Sequence, residues 1–313
     1  MPVTLCISFR TKMNKGFDEI FAELQSRGSR KRMIAAWGVD GHTIAAAAKA
    51  VELGLADVTL VGDESMIEKA CEEEGTDVSV FTVVHESAEL SAVSRAVEMI
   101  RKGEGDFLMK GLCSTDKFLR AILNKETGLL PPKGTLTHCT TLEIPTYHKL
   151  LFVGDVAVIP APDLKQKQTI MECLVKTAKA VGVEKPKVAI IAATEQVLSS
   201  QQATIDAALL AKMADRGQIR GCIADGPLAL DVALDMESVK IKGLVSPVAG
   251  DADCLLFPNI ESGNVFYKVN SKLVEGVRQA GILLGAKVPC VLSSRADSID
   301  TKLNSIAIAA MSV

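Results

Sequence analysis

Apolar positions along the 313-residue chain fall into two alternating patterns. Short, nearly unbroken apolar runs at 30–37, 58–61, 78–84 and 107–110 read as strands buried on both faces. Between them, 42–53, 64–74, 87–102 and about 114–123 carry apolar residues three and four apart, the spacing of one helix face. An earlier stretch, 17–27, has the same spacing in Phe17, Ile20, Phe21 and Leu24. Gly54 and Gly75 stand where helices should stop, and Asp63 where one should begin. Strands alternating with helices predict βαβ units and a mostly parallel sheet.

Gly and Pro at 126–136 interrupt this rhythm and read as a boundary. Beyond it, two strand-like runs, 136–144 and 150–159, are joined by the short segment 145–148, which predicts an antiparallel pair opening a second sheet. A helix over 163–181 capped by Asp163, a strand at 188–193, a helix at 202–216, a strand at 222–224 ending in Asp225-Gly-Pro227 and a helix at 228–239 follow. Ser298 is a good N-cap for a last helix over 299–311. Between Ser246 and Ser298, two apolar runs each stop abruptly at Gly, Pro, Ser, Asn or Arg. Ligands of open parallel sheets bind beyond the carboxyl ends of the strands, so these two ends read as two walls of a crevice. Gly38-Val-Asp-Gly41 sits between a strand and a helix, but it is not GxGxxG and no acidic residue closes the second strand. It reads as a tight turn without a dinucleotide.

Hydrophobic residues make up 48% of the chain and aromatics only 4%, so the core must be aliphatic. The net charge of −3 argues against non-specific nucleic-acid binding, yet leaves room for an anionic small ligand held by a few local groups. Eight cysteines are scattered without a CxxC pair, and the four histidines do not cluster with them. They read as small buried hydrophobes in a reducing cytosol rather than as a metal site or a catalytic thiol. Residues 1–12 read as an extension, with Met13 a possible natural start. No apolar run approaches the ~20 residues of a membrane span, so no membrane association is expected.

Several motifs in order carry a resemblance. Met109-Lys-Gly-Leu-Cys-Ser-Thr115 and Phe118-Leu-Arg-Ala-Ile-Leu-Asn124 come first, then Asp163-Leu-Lys-Gln-Lys167 and Asp225-Gly-Pro-Leu-Ala-Leu-Asp231. Ser246-Pro-Val-Ala-Gly250, Phe257-Pro-Asn-Ile-Glu-Ser-Gly-Asn-Val-Phe-Tyr-Lys268 and Ser294-Arg-Ala-Asp-Ser298 complete the series. Together, from about residue 14 to 313, they resemble the phosphate acetyl/butyryltransferase family, and in detail its butyryltransferase branch. The resemblance implies two three-layer α/β/α domains with mostly parallel sheets and an inter-domain active-site cleft, an isocitrate/isopropylmalate dehydrogenase-like fold. Domain I would comprise 13–135 plus 299–313, and domain II 136–298. The implied reaction is acyl-CoA + phosphate ⇌ acyl phosphate + CoA. It needs no metal and no permanently bound cofactor, coenzyme A being a substrate, and the protein would be a homodimer or larger homo-oligomer in the cytoplasm. A non-catalytic acyl-CoA-sensing module and an enzyme drawing acyl groups from acyl carrier protein are the alternatives.

By the same resemblance, Arg295 would hold the phosphoryl group, which suits the planar fork of a guanidinium, and Ser294 would hydrogen-bond near the CoA sulfur. In the acetyltransferase branch an Asp seven positions after that Ser is the proposed base; here the position is Thr301. Asp300 and Asp297 are the replacements, Asp300 the nearer in sequence, although a first-turn position favours the ionised form and weakens a base. Lys110, Gly111, Ser114 and Thr115 lie where a strand meets a helix, either binding phosphate or CoA diphosphate or simply capping. Arg120 would face the cleft or solvent. Glu261, Gly263 and Asn264 open a helix, with Asn264 either donating to the acyl carbonyl or capping.

Overall fold

The computed structural model describes residues 15–292 and 297–313. The first half alternates as expected: α1 (Phe17–Ser26), β1 (Lys31–Ala36), α2 (Gly41–Glu52), β2 (Ala56–Gly62), α3 (Glu64–Glu73), β3 (Thr82–His85), α4 (Glu89–Lys102), β4 (Phe107–Lys110) and α5 (Thr115–Leu123). The second half follows with β5 (Thr137–Glu143), β6 (Leu151–Gly154), α6 (Leu164–Ala180), β7 (Lys187–Ile191), α7 (Gln202–Asp215), β8 (Ile223–Leu228), α8 (Leu230–Leu234) and α9 (Met236–Lys242). It ends with β9 (Cys254–Leu256), α10 (Ile260–Leu273), β10 (Arg278–Leu284), β11 (Cys290–Val291) and α11 (Ile299–Met311).

All eleven strands form one sheet, in the order β3-β2-β1-β4-β11-β10-β5-β6-β9-β7-β8. The first five are mutually parallel, and so are the last four. Strands β10 and β5 join the blocks through three antiparallel pairings, so the blocks run in opposite directions. The architecture is mixed α/β, mostly parallel, with helices on both faces. One apolar cluster runs across both blocks on one face. On the other face the core is divided, one part under α4 and α5 and one under α8, α9 and α10. Helix α11 is buried along its length from Lys302 to Met311, its apolar second half as expected and Lys302, Asn304 and Ser305 as buried polar groups in its first half.

Several readings of the sequence are corrected. The pair expected at 136–144 and 150–159 opens no second sheet, because β5 is paired on its other side with β10 and so joins the single sheet, and its second strand ends at Gly154. The run 78–84 splits into a 3₁₀ turn, Val78–Val80, and β3, because the Asp77 carboxylate accepts the Ser79 N–H at 2.9 Å and draws the chain into a turn. The helix expected at 228–239 is two helices. Asp235 sits in extended backbone and its carboxylate accepts from Glu237 N–H and Ser238 N–H, starting α9 afresh. Strand β10 was not expected at all, since its polar start and Gly281 conceal its apolar alternation.

Candidate active site

The cleft lies where the two halves of the divided core meet. It has a volume of about 530 Å³. Cys113 and Leu292 line it from the first part, Val156 and Tyr267 from the second. The strand ends expected as its walls are arranged differently: β9 and β11 belong to blocks of opposite direction, so their carboxyl ends point to opposite edges of the sheet. The β11 end contributes Leu292, whereas β9 contributes through α10, which brings Asn264, Tyr267 and Lys268. The linking strands β5 and β10 supply the floor, with His138, Thr140, Gln279 and Gly281.

Lys110 ends β4 and is only 2% exposed. Its ammonium donates to the carbonyls of Gly111 and Cys113 at 3.1 and 3.0 Å, which fixes a positive charge at the cleft wall. Gly111 acts through its lack of a side chain: a Cβ there would stand 2.2 Å from the Trp37 carbonyl oxygen. The chain can therefore cross from β4 into α5 only with glycine. Ser114 and Thr115 line the cleft. The Ser114 hydroxyl caps α5 by accepting the Lys117 N–H, and the Ser114 N–H is donated to the Glu89 carboxylate. A carboxylate thus occupies part of the helix start where an anion cradle was expected.

Asn264 donates its amide to the Val156 carbonyl at 2.9 Å. It ties α10 to the loop after β6 while lining the cleft. Gly263 is another contact glycine, since a Cβ would meet the Asp155 carbonyl oxygen at 2.5 Å. Glu261 is exposed at the start of α10 and is not among the lining residues. Neither is Arg120, whose side chain is 80% exposed and pairs with Asp116 at 3.1 Å.

The two candidate bases separate clearly. Asp297 lines the cleft. Asp300 does not: its side chain is 76% exposed and lies 3.5 Å from the Lys49 ammonium. Ser294 and Arg295 fall outside the described residues; Leu292 and Asp297, which flank them in sequence, both line the cleft.

Two groups here, His138 and Lys302, gave no signal in the sequence. Burial pushes the His138 imidazole below its ordinary pKa, against the opposing charges of Asp155 and Asp297. Lys302, on α11 beside the lining Thr301, is 3% exposed. Burial lowers its pKa and the nearby Lys110 charge adds to this, while Asp40 and Asp297 oppose it. Lys110 and Lys268 line the cleft, and their positive charges favour an anion there. Tyr267 is pushed up to about 12, first by burial and then by Asp297. Cys113 is pushed up to about 11 by burial, so its thiol stays protonated at neutral pH. Among the described residues no group of three or more His, Cys, Asp or Glu is placed to hold a metal ion, and no helix is long and apolar enough to cross a membrane.

Fold and cleft together define an α/β protein whose basic, partly apolar cleft opens where two parallel blocks meet. The family described as "Phosphate acetyl/butaryl transferase" matches residues 85–310. The chain is 45% identical over 299 residues to a phosphate butyryltransferase of Clostridium acetobutylicum, covering 96% of this chain and 98% of that one. It is 39% identical over 278 residues to a phosphate acetyltransferase of Rhizobium meliloti, covering 89% and 87%. A solved branched-chain phosphotransacylase from Enterococcus faecalis V583 superposes with a TM-score of 0.79 at 27% identity, covering 90% of this chain and 98% of that one. The chain belongs to the phosphate acetyl/butyryltransferase family, a family of acyltransferases.

Proposed function

We propose that the protein transfers a short-chain acyl group, butyryl in preference to acetyl, reversibly between coenzyme A and inorganic phosphate. The observation that carries this reading is the 45% identity to a phosphate butyryltransferase over nearly the full length of both chains; the cleft agrees with it in charge and in lining. Phosphate would lie near Lys110 and Ser114, with Arg295 in the role the family resemblance implies. The acyl group would lie against Val156, Ala157 and Leu292. Asp297, rather than Asp300, would accept the CoA thiol's proton in the direction of acyl-CoA synthesis, because it is the one that reaches the cleft. The protein would work in the cytoplasm as a homodimer or larger homo-oligomer, without a permanently bound cofactor.

The test is phosphate-dependent release of CoA from acetyl-, butyryl- and longer acyl-CoA. The expected result is turnover highest with butyryl-CoA. Acyl-CoA binding without turnover at any chain length would overturn the reading in favour of a sensing module. Turnover only with acylated carrier protein would overturn the choice of donor.

A further inference from the structure

Strand β5 places His138 and Thr140 two residues apart, on the same face, at the cleft wall. The His138 ring is nearly enclosed, and its Nδ1 lies 3.3 Å from Thr140 Oγ1. Asp155 fixes the backbone beneath it. One carboxylate oxygen accepts from the Thr137 hydroxyl and the His138 N–H at 2.7 and 3.1 Å. The other accepts from the N–H groups of Ala157 and Val158. On the opposite side, the Nε2–Cε1 edge of the ring lies over Gly281 of β10, where an added Cβ would stand 3.0 Å from Nε2 and 3.2 Å from Cε1. Gly281 itself lines the cleft. The Nδ1 edge is therefore used inside the protein, and the Nε2 edge extends over bare backbone at the cleft.

Proton accounting selects the tautomer. Thr140 is buried, and its hydroxyl has Nδ1 as its hydrogen-bond partner among the described residues. A buried hydroxyl proton needs an acceptor. Donation from Thr140 to Nδ1 supplies one and leaves the ring proton on Nε2; the reverse arrangement strands the hydroxyl proton. This assignment follows from the network. The charged groups facing the ring are Asp155, behind β5, and Asp297, just before the Ser298 cap of α11; burial outweighs both and keeps the ring neutral at neutral pH.

We propose that His138 is a catalytic hydrogen-bond donor, its Nε2–H offered to the acyl carbonyl oxygen as that oxygen gains negative charge. The proposal rests on the acyl-transfer reading above. A phosphate oxygen forms a bond to the thioester carbon, and the carbonyl π pair moves onto oxygen. As the tetrahedral species collapses, the C–S bond breaks, its electron pair leaves with sulfur, and the proton of hydrogen phosphate ends on the CoA thiol. His138 contributes a hydrogen bond and no net proton. A preorganised donor in a water-poor cleft is worth most where charge develops.

The experiment pairs kinetics with infrared spectroscopy of butyryl-CoA carrying a ¹³C-labelled carbonyl, bound to the full chain. In the wild type the bound carbonyl band should lie below the free position. His138→Ala should abolish that shift, lower kcat about 10²–10³-fold and leave the phosphate KM within about twofold. His138→Gln, which keeps an N–H donor, should recover part of both the shift and kcat. A folded His138→Ala chain with wild-type kcat or an unmoved band would overturn the proposal. If that variant does not fold, the wild-type band decides, since an unshifted band on bound substrate also overturns it. A wild type that binds butyryl-CoA but shows no phosphate-dependent turnover would overturn the acyl-transfer reading itself, and the role of His138 with it.

Discussion

Replacing Asp155 with Asn should destabilise the protein severely, and the size of the effect follows from its four donors. The residue is 2% exposed. Oδ1 accepts the N–H groups of Ala157 and Val158 at 2.7 and 2.9 Å, and Oδ2 accepts the Thr137 hydroxyl and the His138 N–H. An Asn amide keeps one oxygen, best placed toward Ala157 and Val158, and turns its NH₂ toward the other pair. The Thr137 hydroxyl can rotate to accept, but the His138 N–H cannot. One charge-assisted hydrogen bond is lost and one buried N–H is left facing another donor, which together cost about 3–5 kcal/mol. That is a large part of a typical domain's ~5–15 kcal/mol. The assay is urea denaturation followed by circular dichroism, with kcat measured well below the transition. Because Asp155 anchors both the start of β5 and the loop carrying Val156 and Ala157, kcat should fall as well. A midpoint shift worth less than about 1 kcal/mol at unchanged slope would refute the reasoning.

Asp297→Asn should lower kcat for acyl phosphate plus CoA by about 10²–10⁴-fold, whereas Asp300→Asn, altering an exposed partner of Lys49, should leave it nearly unchanged; the reverse ranking would return the role to Asp300. Arg295→Ala should raise the phosphate KM and lower kcat, with Arg295→Lys recovering only part because it lacks the fork; unchanged phosphate kinetics would remove Arg295 from the site. Chelator should leave turnover intact and Cys113→Ala should remain active, since burial keeps that thiol protonated; loss in chelator restored by zinc would show a metal requirement. Although burial alone would raise the Asp251 pKa, Lys149, Lys187 and His148 hold this carboxyl well below the usual carboxylate range. Its folded pKa is depressed, so its contribution to stability is present above the unfolded value of about 4 and is lost as pH falls below it; Asp251→Asn should flatten the fall in melting temperature below that pH, and identical acid limbs would count against the ion cluster.

Periodicity made the outer strands and helices legible because each is decided locally. Apolar runs such as that of β1, and caps such as Asp63 and Asp163, whose carboxylates accept the N–H groups of Met66 and Gln166, depend only on near neighbours. The middle of the sheet is decided elsewhere. Strand β10 is held by long-range pairing with β5 along its whole length, with two residues of β11 pairing locally on its other side, and its Arg278-Gln-Ala-Gly start has no strand rhythm of its own. Sequence spacing likewise cannot see that β10 and β5 fuse the two blocks edge to edge, since pairing between strands more than a hundred residues apart leaves no local trace.

The same distinction explains the candidate site. Lys110, Ser114 and Thr115 were legible because they stand at element ends, where polar residues interrupt apolar runs, and Asn264 because it follows in the motif that opens α10, although Asn259 is the cap. Gly111 and Gly263 stood in the same motifs, but their part is steric, and only the approach of the Trp37 and Asp155 carbonyls shows it. Asp300 and Asp297 differ by three positions, nearly a full turn of helix, yet one faces Lys49 and the other the cleft, because Asp297 lies before the Ser298 cap and outside the helix. Proximity in sequence to the expected base position therefore selects the residue that faces Lys49 and not the one that lines the cleft. His138 had no local signal: a single histidine within a buried, threonine-rich strand is most simply a core residue. It becomes a candidate only because Thr140 occupies Nδ1, Asp155 fixes its backbone and a glycine on a strand that was itself not expected puts no side chain against the Nε2 edge. Replacing that glycine is accordingly a second, independent probe of the ring's position. Gly281→Ala puts a methyl 3.0 Å from Nε2 and 3.2 Å from the Leu292 carbonyl oxygen, so it should displace the imidazole and lower kcat while His138 remains in place. A folded Gly281→Ala chain with wild-type kcat would mean that the position of the ring edge over Gly281 does not matter to turnover.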